Sequence, residues 1–123
     1  MRCLLAGLSD QLASELRCGR RQVEQAVSPA ETMRMLHRSP APRLLVVSEL
    51  FPGAGDVLAA VEADGRLANL TLVVVVGGRT ALAVALGRRG VPVLSPSGVG
   101  PRLVNLLRRW ETRPGRARGP ATP

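Results

Sequence analysis

The sequence contains no tyrosine and no lysine, and it has one phenylalanine, one tryptophan, one histidine and two cysteines among 123 residues. Each shortage closes off a class of function. With Phe51 and Trp110 as the only aromatics, there are no platforms on which nucleobases could stack, and the core must be built from Leu, Val and Ala. The lack of lysine removes Schiff-base chemistry, the P-loop lysine and any lysine paired with a phosphoryl group. A single histidine, His37, falls on the second predicted helix, away from the carboxyl edge of the strands, so a serine nucleophile there has no base beside it. Cys3 and Cys18 lack metal-ligand spacing and read as buried or half-buried thiols in a reducing compartment. No cofactor and no metal is expected. No apolar run approaches the roughly 20 residues needed to span a bilayer. The apolar start, Met1 to Leu8, is too short for a secretory signal and runs into Ser9-Asp10-Gln11 without a cleavage-like site. It reads as a strand, and the chain is expected to be cytoplasmic.

What is present is a regular alternation. Leu44 to Val47 is an unbroken aliphatic run, the pattern of a parallel strand buried on both faces, and Phe51-Pro52-Gly53 turns the chain after it. Thr71 to Val76 is a second such run, rich in β-branched residues. Shorter strands are predicted over Arg2–Ala6, Gln22–Val27 and Val91–Leu94, with Gln22–Val27 at an edge. Between them, helices are predicted from Ser9 to Cys18-Gly19, from the Ser28-Pro29-Ala30-Glu31 capping box to before Ser39-Pro40-Ala41-Pro42, and from an Asp56 cap through Leu67. Two more are predicted over Ala81–Arg89 and from Pro101 through Trp110. Five strands alternating with five helices predict a flavodoxin-like three-layer α/β/α sandwich with a parallel sheet of order 2-1-3-4-5. Residues 1–110 form this domain. Residues 111–123, with their Pro, Arg and Gly and no apolar periodicity, are expected to be a disordered basic tail.

The element order and lengths, the Pro52-Gly53 turn after the third strand and Ser95-Pro96 after the fifth resemble a response-regulator receiver domain over residues 1 to about 110. The family motif is an aspartate, three intervening residues and then Pro-Gly, so the resemblance places Ser48 at the phosphoacceptor position. It places Ser95 where the family has a lysine, Gly77 where it has Thr or Ser, and Ala6-Gly7 where it has the acidic pair that holds magnesium. None of these positions keeps its chemistry, since phosphoryl transfer to a carboxylate needs the carboxylate and Mg²⁺ wants several oxygen ligands. Strand alternation turns the neighbouring Glu49 to the opposite face from Ser48. The resemblance is therefore to a degenerate form, a pseudo-receiver that is not an enzyme. Such domains also occur as N-terminal targeting modules of pilus-assembly and septum-site ATPases, and the tail resembles the linker that follows one.

Two surfaces remain as binding candidates. Gly77-Gly78-Arg79-Thr80, at the carboxyl end of a central strand and the start of a helix, is a candidate loop for a small anionic or nucleotide ligand. The formal charge of +8 is carried wholly by 17 arginines, of which Arg88, Arg89, Arg102, Arg108 and Arg109, with Trp110, lie on the last two helices. In receivers the face of the fourth helix, fifth strand and fifth helix is the usual partner surface, so the resemblance implies docking to an acidic protein or self-association. Accessory nucleic-acid binding through the basic tail is a third reading, which lacks any sequence-specific motif. The sequence therefore predicts a phosphorylation-independent interaction module, with ligand sensing as the alternative.

Overall fold

The computed structural model describes residues 2–17, 21–38, 42–65, 72–77 and 80–111. Within them five parallel strands, β1 (Arg2–Ala6), β2 (Gln22–Ala26), β3 (Leu44–Ser48), β4 (Leu72–Val76) and β5 (Val93–Leu94), form one sheet of order β2-β1-β3-β4-β5. This is the expected flavodoxin-like arrangement. The connecting helices are α1 (Asp10–Arg17), α2 (Pro29–Leu36), α3 (Ala54–Ala63), α4 (Ala81–Arg88) and α5 (Val99–Glu111).

Alternation along the strands divides the core into two layers. Leu4, Leu45, Val47 and Val75 face α2, α3 and α4, while Leu5, Leu44, Val46 and Val74 face α1 and α5. Leu44 to Val47 are wholly buried, as a central strand covered by helices on both sides must be. Cys3 is a buried free thiol in the α1/α5 layer.

Local chemistry sets the helix starts. Ser9 Oγ accepts from Leu12 N at 3.3 Å ahead of α1. Ser28 caps α2, accepting from Glu31 N at 3.1 Å, and the Glu31 carboxylate reaches one residue past the cap to accept from Val27 N at 2.8 Å. Ser28→Ala is expected to cost about 1 kcal/mol, read as a lowered midpoint in thermal unfolding. An unchanged midpoint would mean that Glu31 alone holds this turn.

Three element starts differ from expectation by two residues or more, each for a definable reason. α3 begins at Ala54, and Asp56 lies in its first turn instead of capping it; Gly53, left-handed at φ 81°, carries the turn straight into the helix. α5 begins at Val99, two residues before the predicted start, because Gly98 at φ 68° is the last residue outside the helix. Pro101 then falls within the first turn, where a missing N–H leaves no bond unmade. β5 is two residues long because Val91 N–H is engaged by Leu86 O at the end of α4 and Pro92 has no N–H. Expectations at Cys18-Gly19, Ser39 to Ala41, Leu67, Thr71, Gly78-Arg79 and the tail from Thr112 onward lie outside the described residues, and α5 itself runs one residue into the predicted tail.

Candidate functional site

The carboxyl ends of the parallel strands, where an α/β sheet of this kind binds its ligands, bring together Ala6-Gly7, Ser48-Glu49, Gly77 and the loop after β5. At the first, Ala6 is wholly buried in the core and Gly7 adopts φ 78°. A Cβ at Gly7 would meet Phe51 Cδ1 at 2.8 Å and Phe51 Cβ at 2.9 Å. Phe51 is buried while its neighbour Leu50 is 80% exposed, so the turn after β3 drives an aromatic ring inward over Gly7 and leaves a leucine in solvent. The ring crowds the place a side chain would take at Gly7, which is itself exposed, where the receiver resemblance would have an acid.

At the end of β3, Ser48 Oγ accepts from Leu50 N at 3.2 Å and Ser48 O accepts from Phe51 N at 3.0 Å. The hydroxyl thus serves the turn. Glu49 N–H continues the ladder to Val76 O at 2.9 Å, and its side chain leaves on the α2/α3/α4 side, opposite Ser48, as alternation requires. Glu49 Oε1 accepts from both Thr80 N at 2.9 Å and Thr80 Oγ1 at 2.6 Å. Thr80 Oγ1 in turn accepts from Ala83 N at 3.2 Å and so caps α4. The glutamate carboxyl group lies over Gly77, whose φ of 152° belongs to glycine alone and whose missing Cβ would collide with it.

This geometry bears directly on the candidate anion loop. Gly77 and Thr80 are in place, Gly78 and Arg79 lie outside the described residues, and the start of α4 already holds an anion, the carboxylate of Glu49. A negative group there complements the unpaired N–H groups and the dipole of the helix. The chain supplies internally what a ligand would have brought.

Ser95 is exposed, and its Oγ accepts from Ser97 N at 3.3 Å within the loop. His37 sits at the C-terminal cap of α2, the end remote from the carboxyl edge, with Nδ1 at 2.8 Å from Met33 O and Nε2 at 3.1 Å from Asp64 Oδ2 at the C-terminal cap of α3. It ties two helices together and has no place in a triad with Ser48. Among the described residues no three His, Cys, Asp or Glu side chains gather as a metal ion would require.

The arginines separate into different surroundings. Arg89 pairs with Glu62 of α3, and Arg108 lines a groove of about 360 Å³ between α5 and Glu15 of α1. Arg88, Arg102 and Arg109 are exposed. Trp110 is on α5, but its side chain is not among those described. Sequence reasoning missed Phe51 as a packing residue, Glu49 as the partner of Thr80, and Glu15, whose carboxylate lies on Gly100. Nothing local announces these contacts, since each joins residues brought together only by the sheet.

No protein-family model matches the chain, and no curated protein matches it. Among solved structures, a "putative response regulator" from Chloroflexus aurantiacus J-10-fl is similar with a TM-score of 0.71 and 19% identity, over 88% of this chain and 94% of that one. The likeness is one of fold, and the fold is receiver-like.

Proposed function

We propose that this chain is a phosphorylation-independent pseudo-receiver that acts by docking to another protein and not by catalysis. The packing of Phe51 on Gly7 carries this reading. A receiver whose acidic pair had merely been substituted would keep room for a side chain at this position, whereas here an aromatic ring takes the space that a Cβ on Gly7 would need. Phosphoryl transfer to an aspartyl group needs a carboxylate nucleophile beside oxygen ligands for Mg²⁺. Ser48 offers a hydroxyl already accepting from Leu50 N–H, and the nearest carboxylate, Glu49, is bound to Thr80. What remains of the receiver is a rigid sheet presenting two covering layers of helix, a platform suited to recognition. No described helix is long and apolar enough to cross a membrane.

The test is intact-mass spectrometry of the protein after incubation with acetyl phosphate and Mg²⁺. The expected spectrum is that of the unmodified chain. An adduct of phosphoryl mass, mapped to Ser48 or Glu49, would overturn the proposal, because it would mean that the edge still performs chemistry.

A further inference from the structure

Charge in this fold is segregated along the strand axis. All five strands are parallel and each helix returns against them, so strand starts and helix ends share one edge of the sheet, the amino edge. Eleven arginines fall among the described residues, and ten of them stand at that edge. Arg2 opens β1, and Arg21 and Arg43 each precede a strand by one residue. The other seven lie in the last turn of α1, α2, α4 or α5, or within two residues past one. Only Arg102, in the first turn of α5, is at the opposite edge. The carboxylates run the other way. Asp10, Glu31 and Asp56 stand in first helical turns and Glu49 follows β3, all at the carboxyl edge. Among the described residues the amino edge keeps Glu62 and Asp64, engaged by Arg89 and His37, and Glu111 at the close of α5. Glu24, in mid-strand, pairs with Arg2 and Arg38.

Helix dipoles account for part of this pattern. A cation in a last turn complements the partial negative charge there, which explains arginine at the ends of α1, α2, α4 and α5. It does not explain the strand starts, because sheets have only small net dipoles. Arg21, Arg2 and Arg43 begin β2, β1 and β3, which are neighbours in the sheet, so roughly 4.8 Å separates one strand from the next. Arg43 N–H donates to Arg2 O at 2.9 Å, which fixes two of them side by side. Arg43 is exposed, and Arg2 and Arg21 are half-buried. The fold thus draws a row of arginines across the rim, between helix ends that carry more of them. The exposed large apolar side chains among the described residues are elsewhere. Val27 and Leu50 follow β2 and β3 at the carboxyl edge, and Val84 lies within α4.

We infer that the amino edge of the sheet binds the sugar-phosphate backbone of a nucleic-acid duplex, without regard to sequence. A contact of this kind goes beyond the protein-docking role proposed above and leaves the helix flanks to it. The planar fork of arginine pairs bidentately with phosphate, and backbone contacts need no apolar centre. A protein interface is built around one, and a surface that lies on a membrane sets apolar side chains beside its cations. The amino edge shows no exposed large apolar side chain among the described residues. Single strands are held in good part by stacking on aromatics, and the chain has only Phe51, which is buried, and Trp110. A duplex presents closely spaced phosphates and asks for neither feature. The residues after α5 continue from this same edge and add Arg113, Arg116 and Arg118 without an acid.

The test is fluorescence anisotropy of the full chain with labelled DNA duplexes of about 20 base pairs and two unrelated sequences, titrated between about 50 and 150 mM salt. Both duplexes should bind alike, and their affinity should fall by about 100-fold over this range, the slope of four or five neutralised phosphates. Arg43→Gln with Arg88→Gln and Arg109→Gln should weaken binding at the lowest salt by about tenfold or more and flatten the salt slope by about 2–3. Arg113→Gln with Arg116→Gln and Arg118→Gln removes the same number of charges beyond α5 and should cost about threefold or less. Arg102→Gln, at the other edge, should leave the affinity unchanged. Far-UV circular dichroism checks that these substitutions leave the fold intact. Lack of duplex binding at the lowest salt would overturn the inference. So would an edge variant that binds as the parent does, or a variant beyond α5 that loses as much as the edge variant. Phosphatidylglycerol vesicles and a polyglutamate chain are titrated in parallel. Tighter binding of either would also overturn it, by assigning the edge to a membrane surface or to an acidic protein.

Discussion

Gly7→Asp, which restores an acid at the end of β1, should destabilise the protein by about 1–3 kcal/mol and still yield no phosphorylated species. Two costs combine. The new Cβ would stand 2.8 Å from Phe51 Cδ1, so the buried ring must shift within a close-packed core. The backbone adds a smaller penalty, because aspartate tolerates φ near 78° better than most residues but not freely. Urea unfolding checks the magnitude, and a double-mutant cycle with Phe51→Ala identifies the cause. In the Phe51→Ala background the aspartate should be easier to accommodate, with a coupling of about 1–3 kcal/mol. A cost under about 1 kcal/mol for Gly7→Asp alone would show that the ring steps aside readily and that the pocket is latent, not closed.

Glu49→Ala is expected to cost about 2–4 kcal/mol, because it removes a charged acceptor from two hydrogen bonds at once. Thr80 would lose the partner of its N–H and its hydroxyl together, at the first turn of a helix only eight residues long. Glu49→Gln should be milder, at about 1 kcal/mol, since its amide oxygen still accepts from Thr80 N–H but without charge. Equilibrium unfolding gives the totals, and amide exchange at Ala83 locates the loss, as that N–H donates to Thr80 Oγ1. Should Glu49→Ala stay within about 0.5 kcal/mol of the parent, Thr80 has another acceptor and Glu49 does not hold the start of α4.

Most of the fold could be read from the sequence because it is written in local signals. The aliphatic run from Leu44 to Val47 and the valines of β4 have the composition of doubly covered strands. The Ser28-Pro29-Ala30-Glu31 capping signal marks α2 to the residue. Element ends were less legible wherever a glycine in left-handed conformation set them, as at Gly53 and Gly98, or where a neighbouring helix captured a strand's N–H, as at Val91. Half of the candidate site was legible for a similar reason. Counting back from Pro52 locates Ser48, and alternation puts Glu49 on the opposite face. The other half depends on register between strands distant in sequence. Glu49 meets Thr80 across 31 positions only because Ser48 is paired with Val76. Phe51 reads as a turn residue until β1 is placed beside β3.

The shortness of β5 bears on how this edge of the sheet behaves over time. A strand of two residues contributes few ladder bonds, and its residues are half-buried, so this margin of the sheet should open at a lower free energy than the β1–β3–β4 centre. Amide exchange should therefore be faster at Gly77, whose N–H donates to Leu94 O, than along the buried centre of β3.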